Sequence, residues 1–213
     1  MAHLKRQHVS KNWPISRKGT AYVVTPASDA SKGVPALIAL RDMIKIAQNR
    51  KEVKKAIFEK SILLNKKILT DEKTGITLFD VITIVPSKEH YQLTLATGTG
   101  KFEFVKVKEA KDKVAKVTNK TILKGKKIQI NLGDGNNYLS NMACKTNDSV
   151  IVDFDKKQII KCLPLKEKAN VIVFSGKHAG DKGSITNIVD KMVQLNIAGK
   201  DINVLIKQII VTE

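Results

Sequence analysis

The chain has 213 residues, 42% of them hydrophobic, which is enough to bury one large core or several small ones. Its 38 basic residues against 20 acidic ones leave a formal net charge of +18, so an anionic partner is expected. No stretch reaches the roughly eighteen apolar residues of a membrane-spanning helix, and no secretory h-region follows Met1, so neither a membrane partner nor a secretory route is expected.

The charge is spread along the chain: +5 over residues 1–34, +4 over 35–86, +7 over 87–165 and +2 over 166–213. That distribution fits a protein embedded in a polyanion better than one with a single basic tail. Residues 1–34 read as a basic arm and linker, with Lys5, Arg6, Lys11, Arg17 and Lys18 interleaved with His3, His8 and Trp13 and too few apolar residues for a core of their own. Such a segment can order on nucleic acid, its cations on phosphates and Trp13 stacked on a base or on the next domain. A mitochondrial presequence is disfavoured because Trp13-Pro14 interrupts any amphipathic helix. Thr25 to Gly33, rich in Pro, Ser, Ala and Gly, is the linker.

Pro35 precedes Leu37, Leu40, Ile44 and Ala47 at helical spacing, which predicts a first helix. Asn49 followed by Glu52 predicts a capped second helix whose apolar face is Val53, Ala56 and Ile57. Arg50, Lys51, Lys54 and Lys55 then fall on its opposite side. Ile62 to Leu64, a turn at Asn65, Lys66 and Lys67, Ile68 to Leu69 and finally Val81 to Val85 predict strands. Two helices on a small sheet with one cationic face suit a reader of RNA backbone, although an isolated basic helix face is more often only solvated.

The fragments LRDMIKIAQNRKEVKK, ILLNKKILTD and FDVITI resemble the small RNA-binding domain named after bacterial ribosomal protein S-four, over about fifty residues. That domain has two helices, a hairpin with a VNGK-type turn and a GDVI-type strand. This chain departs from it at Lys66 and Phe79, where the family commonly has Gly. Asn-Lys suits a primed turn less well than Asn-Gly, because the second position also requires positive φ, so a longer turn or one of another type is expected. An extra lysine there could itself reach phosphate. Arg41, Lys45, Arg50, Lys51, Lys54, Lys55 and Lys66 are the candidate RNA-binding residues of this domain.

From Glu89 onward the pattern is β. His90 to Thr94 and Phe102 to Val107 flank Thr97-Gly98-Thr99-Gly100, and Ile128, Ile130 and Leu132 run into a strong hairpin turn at Gly133-Asp134-Gly135-Asn136-Asn137. Val150 to Phe154 and Ile159 to Leu163 form a second hairpin, so a small barrel or sandwich is predicted to end near Pro164. Lysines on its edges and turns also discourage edge-to-edge aggregation. The last segment places the glycine-spaced loop Ser175 to Gly183, with Lys177, His178 and Lys182, between Val171 to Phe174 and Ser184 to Ile188.

This strand, basic loop and strand match the KOW motif of SH3-like barrels. HLKRxxxxxxWPIxRK near the amino terminus, VPALIALRD and KGKKIQINLxDGNN are similar to ribosomal small-subunit protein four of the eukaryotic and archaeal type, so the resemblance spans nearly the whole chain. Members of that family from eukaryotes carry a longer basic extension beyond the barrel, and the length here favours the archaeal-like form. The resemblance implies an α+β, multi-domain fold: a basic arm and linker (1–34), a small α/β RNA-binding domain (35–86), a central, mostly antiparallel β domain (87–165) and an SH3-like barrel (166–213). It also implies a structural constituent of the small ribosomal subunit, cytoplasmic on the ribosome, with small-subunit ribosomal RNA and neighbouring ribosomal proteins as partners.

No enzyme, cofactor, metal or small-molecule substrate is expected. Gly98 to Lys101 fails as a phosphate loop because Leu95 and Phe102 occupy the first Gly and the Ser/Thr positions. Gly133 to Asn137 fails as a calcium loop because Gly133 and Gly135 stand where oxygen ligands are needed. Cys144 and Cys162 lie eighteen apart without a CxxC, which suits a reduced compartment without zinc. His178 has no nucleophile or carboxylate partner indicated. Only 4 of the 38 basic residues are arginine, so phosphate and shape contacts should outnumber bidentate base reading. The alternatives are an RNA-modifying enzyme of the pseudouridine-synthase kind, which needs a catalytic domain around an Asp, and a non-ribosomal RNA-binding chaperone or translation or transcription factor.

Overall fold

The computed structural model describes residues 3–212 apart from 126, 141 and 198. Mostly β with few helices, the chain divides into two compact units, one of Met1–Thr94 with Lys101–Ala110, the other of Leu95–Gly100 with Lys111–Glu213.

The first unit opens with β1 (Leu4–Lys5) paired to β2 (Tyr22–Val23), so the basic arm is a closed loop. The Arg6 guanidinium holds it shut, donating to the carbonyls of Thr20 and Ser16 at 2.7 and 2.8 Å and to Thr20 Oγ1 at 2.8 Å. β3 (Gly33–Pro35) pairs with β6 (Gly75–Thr77), a pairing the sequence did not suggest. A Cβ on Gly33 would collide with the Ile76 carbonyl.

Pro35, extended at φ −67° and ψ 145°, leads into α1 (Ala36–Ile38) and then a π-helical run, Ala39–Met43. The predicted first helix is therefore shorter than its apolar spacing suggests. The chain leaves it where Ile44 donates to Ala39 O at 2.9 Å and Lys45 takes a positive φ of 62°. Ala36 to Leu40 are all buried, so packing rather than propensity holds this segment.

α2 (Arg50–Phe58) forms as predicted. The Asn49 side chain accepts from Glu52 N at 3.0 Å while the Glu52 carboxylate accepts from Gln48 N at 2.7 Å, a cap worth about 1 kcal/mol. Val53 and Ile57 are buried, each contributing roughly 1.5–3 kcal/mol. β4 (Ile62–Leu64), β5 (Lys67–Ile68), β7 (Val81–Ile84), β8 (Glu89–Leu95) and β9 (Phe102–Val107) make one five-stranded sheet in the order β5-β4-β7-β8-β9. The strands of 89–107, expected in the central β domain, instead complete the sheet begun by α2's neighbours, because the turn after Ile84 returns β8 antiparallel to β7.

The second unit is built on β10 (Asp112–Ile122), which a register shift between Val117 and Asn119 divides in two. Its first half pairs with β13 (Ser149–Asp153) and its second with β11 (Ile128–Leu132). Completed by β12 (Asn137–Leu139) and β14 (Ile159–Leu163), the sheet runs β12-β11-β10-β13-β14. A second antiparallel sheet runs β18-β17-β16-β15-β19, from β15 (Asn170–Val173), β16 (Lys182–Val189), β17 (Met192–Ile197), β18 (Lys200–Leu205) and β19 (Ile209–Val211).

β10 serves both cores. Lys113, Ala115 and Val117 alternate inward to the core with Ile130, Leu132, Val150 and Val152, while Val114 packs against the other core, which holds Val171, Val193, Leu195 and Val204. The Lys116 ammonium donates to the Ile206 carbonyl and, at 2.9 Å, to that of Ile209, and lies 6.0 Å from the Phe174 ring centre. Burial pushes it down to about 8. Lys113, at the inward position of a β strand, is 3% exposed and meets Asp134 of the β11–β12 turn. Cys144 and Cys162 pack together beside Asp148, and burial, Cys144 and Asp148 push the Cys162 thiol up to about 12.

Candidate nucleic-acid interface

The cationic side of α2 is set by its apolar side: once Val53 and Ile57 face the core, Arg50, Lys51, Lys54 and Lys55 are all exposed. They are not equivalent. Arg50 makes a two-pronged ion pair with Glu72, whose carboxylate is 6% exposed, and Lys54 approaches the same carboxylate at 3.8 Å. The Arg50 guanidinium holds the Glu72 carboxyl below the usual carboxylate range. Glu72 O in turn accepts from Leu37 N at 3.0 Å, so this pair ties α2 to the start of α1. Arg50 is thus a structural clamp as well as a cation. No local pattern signals the pair, since its partners are 22 residues apart.

Lys51 and Lys55, one turn apart, carry the solvent-facing charge. Lys55 pairs with the exposed Glu59 at 3.9 Å, a contact worth roughly 0–1 kcal/mol. Arg41 is half-buried and paired with its neighbour Asp42 at 2.8 Å. Lys45 is exposed at the end of the π-helical run.

The β4–β5 turn is a two-residue one, with both Asn65 (φ 49°) and Lys66 (φ 62°) in the left-handed region, as a type I′ hairpin demands. This corrects the expectation of a longer turn or one of another type. Asn65 supplies the reason: its Nδ2 donates to Asp80 Oδ1 at 2.7 Å and its Oδ1 accepts from Val81 N at 2.9 Å. Asp80, 4% exposed, also accepts from Thr77 N and Thr77 Oγ1, both at 2.7 Å. The network forces the turn and leaves Lys66 exposed in a conformation glycine prefers. Phe79, the other position where a glycine is common, also has positive φ, 65°, and is buried. Lys66→Gly is therefore expected to raise the stability of the first unit by about 1 kcal/mol. Urea unfolding followed by Trp13 fluorescence checks this; an unchanged midpoint would mean the turn carries no strain.

In the arm, Lys5, Lys11, Arg17 and Lys18 are exposed, whereas Arg6 is spent on its own loop. Trp13 is 2% exposed and its indole N–H donates to Gly33 O at 2.9 Å, so of the two roles expected for it the ring packs within its own unit. In the second unit Lys177 and Lys182 are exposed, and His178 lies 3.6 Å from Asp181, a carboxylate neighbour the sequence reading overlooked at i+3. The loop is closed by Val173, which donates to Asp181 O at 3.0 Å and accepts from Gly180 N at 2.8 Å. Gly180 is required because a Cβ there would collide with the Ala96 backbone.

Residues 87–159 match the family model described as ribosomal family S4e. The small ribosomal subunit protein eS4 of Methanocella arvoryzae is 35% identical over 189 residues, covering 87% of this chain and 80% of the relative. Its counterpart from Archaeoglobus fulgidus is 34% identical over 185 residues, covering 86% and 78%. Among solved structures, the 30S ribosomal protein S4e from Thermoplasma acidophilum is similar with a TM-score of 0.72, over 84% of this chain and 94% of that one, at 20% identity.

Proposed function

The chain belongs to the ribosomal S4e family, and from that premise we propose that it is a structural constituent of the small ribosomal subunit that binds and braces ribosomal RNA through its basic surfaces. The observation that carries this is the division of labour on α2: a capped, packed helix presents Lys51 and Lys55 to solvent, while the buried Glu72 carboxylate neutralises its Arg50 and Lys54 edge. Such cations displace counterions condensed on folded RNA without reading sequence. Lys45 and Lys66 extend the cationic surface of that unit, Lys5, Lys11, Arg17 and Lys18 act from the arm, and Lys177, His178 and Lys182 act from the terminal loop. Arg6, Trp13, Arg41, Arg50 and Lys54 serve chiefly to hold these surfaces in place.

The four segments read from the sequence become, in this proposal, four contact regions. The last is an SH3-like barrel carrying a KOW loop, which the order β18-β17-β16-β15-β19 and the glycine-closed excursion between β15 and β16 support. The partners are small-subunit RNA and adjacent ribosomal proteins, and the place of action is the cytoplasmic ribosome. Chemistry is not part of the role, since the relatives are named as ribosomal subunit proteins rather than enzymes.

A native lysate sedimented through sucrose at low and then high salt tests the proposal. Equal stoichiometry with small subunits, kept in high salt, is expected. Substoichiometric or salt-released protein would favour an RNA chaperone or factor that shares the same binding surface.

A further inference from the structure

The second half of β10, with β11 and β12, forms a three-stranded edge of its sheet whose outer face is lined mostly by amide and hydroxyl side chains. The register pairs Asn119 with Asn131 and Asn131 with Asn137, and one step along the strands pairs Thr121 with Gln129 and Gln129 with Leu139. Directly opposed residues and residues two apart share a face, so these six side chains form a grid three strands wide. The grid is already ordered: Gln129 Nε2 donates to Asn131 Oδ1 at 2.7 Å, and Asn131 Nδ2 donates to Thr121 Oγ1 at 3.2 Å. Asn119, Thr121, Asn137 and Leu139 are exposed. At the end of this edge stand the exposed Lys124 and Lys127, and residues 113–133 contain no acid.

We infer that this face docks in the shallow minor groove of a double-stranded RNA helix, a specific contact within the RNA-binding role proposed above. Three properties select that occupant. The first is charge: cations without acids suit a polyanion and repel none of it. The second is chemistry: amides and hydroxyls both donate and accept, as do the 2′-hydroxyls that line an RNA minor groove. The third is shape. Three strands at 4.7–4.9 Å spacing present a flat surface about 10 Å across, too wide for the DNA minor groove of about 6 Å and suited to the wide, shallow one of A-form RNA. A protein partner would call for an apolar centre, and in this grid only Leu139 is apolar.

The test uses the full-length protein with a mixed-sequence RNA duplex of about 16 base pairs, the DNA duplex of the same sequence and the single RNA strand, each titrated at several salt concentrations. Thr121→Val with Asn131→Ala should weaken RNA-duplex binding roughly tenfold, leave DNA binding unchanged and keep the salt slope. Lys124→Ala with Lys127→Ala should flatten the slope on both duplexes. Equal losses on RNA and DNA, a loss confined to the single strand, or no loss at all would each overturn the minor-groove assignment. So would normal RNA binding coupled to salt-sensitive release from subunits, which would mark a protein contact. Thermal melting of both variants separates unfolding from lost recognition. If the wild type sediments with subunits yet ignores the duplex, only this inference falls; if it binds none of the RNAs and does not sediment, the proposed function falls as well.

Discussion

Asp134→Asn is expected to destabilise the second unit by about 3–5 kcal/mol, because it removes the carboxylate from a buried ion pair. Lys113 sits at an inward position of β10 between the buried Ala115 and the adjoining turn, its side chain only 2% exposed and that of Asp134 only 7%. Burial pushes the Asp134 carboxyl up, but the Lys113 ammonium and the hydrogen bonds from Asn136 overcome this and hold it below its ordinary value of 3.8. A carboxyl lowered by folding stabilises fully above that value, and the stabilisation is lost as pH falls through the lowered one. The gap between wild type and Asp134→Asn should therefore be constant from neutral pH down to 3.8 and shrink below it. Asparagine can still accept from Asn136 N, a bond of 2.9 Å in the wild type, but its amide nitrogen replaces the oxygen that accepts from Lys113 and from Asn136 Nδ2, so the charge and both hydrogen bonds are lost together. Adding Lys113→Met should recover most of the loss, since replacing both members of a buried pair is often neutral. Native-state hydrogen exchange of the β10 and β11 amides measures both steps. A loss under about 1 kcal/mol would show that water reaches the pair.

The same pair shows where sequence reasoning stops. Lysine at position 113 reads as one more surface cation, and Gly133 to Asn137 as a hairpin turn; the turn is correct, but nothing in either stretch says that Asp134 neutralises a core lysine 21 positions earlier. Local signals served well. The Asn49 and Glu52 cap and the Val53 and Ile57 spacing gave α2, and the alternation of Ile128, Ile130 and Leu132 gave β11. The π-helical run was hidden because its apolar spacing continues past Lys45, where the backbone turns away. The closed arm was hidden because a loop held by one guanidinium and one buried indole needs few apolar residues. At the candidate interface the sequence found the cations of α2 but could not rank them. That ranking depends on Glu72, brought in by the β3–β6 pairing and its adjoining turn.

That ranking gives the largest expected effect on binding. Lys51→Glu with Lys55→Glu is expected to weaken binding to structured RNAs of unrelated sequence and to flatten the dependence of log K on log salt by about one to two units. Both side chains lie on the solvent face of a helix held by the Asn49–Glu52 cap and the buried Val53 and Ile57, and the Lys55 pair with Glu59 is an exposed one worth little, so the fold should melt close to the wild type. Arg50→Glu makes the contrast: it sets a second carboxylate against the buried Glu72, so its loss of binding should come with a loss of stability and say little about contact. Arg50→Ala with Glu72→Ala removes both charges and should leave the salt slope nearer the wild type than the Lys51 and Lys55 pair does. If the slope is unchanged in the Lys51 and Lys55 variant, those ammonium groups never displaced counterions. The RNA contacts would then have to come from the arm, the β4–β5 turn and the second unit, with α2 acting only as the frame that holds them.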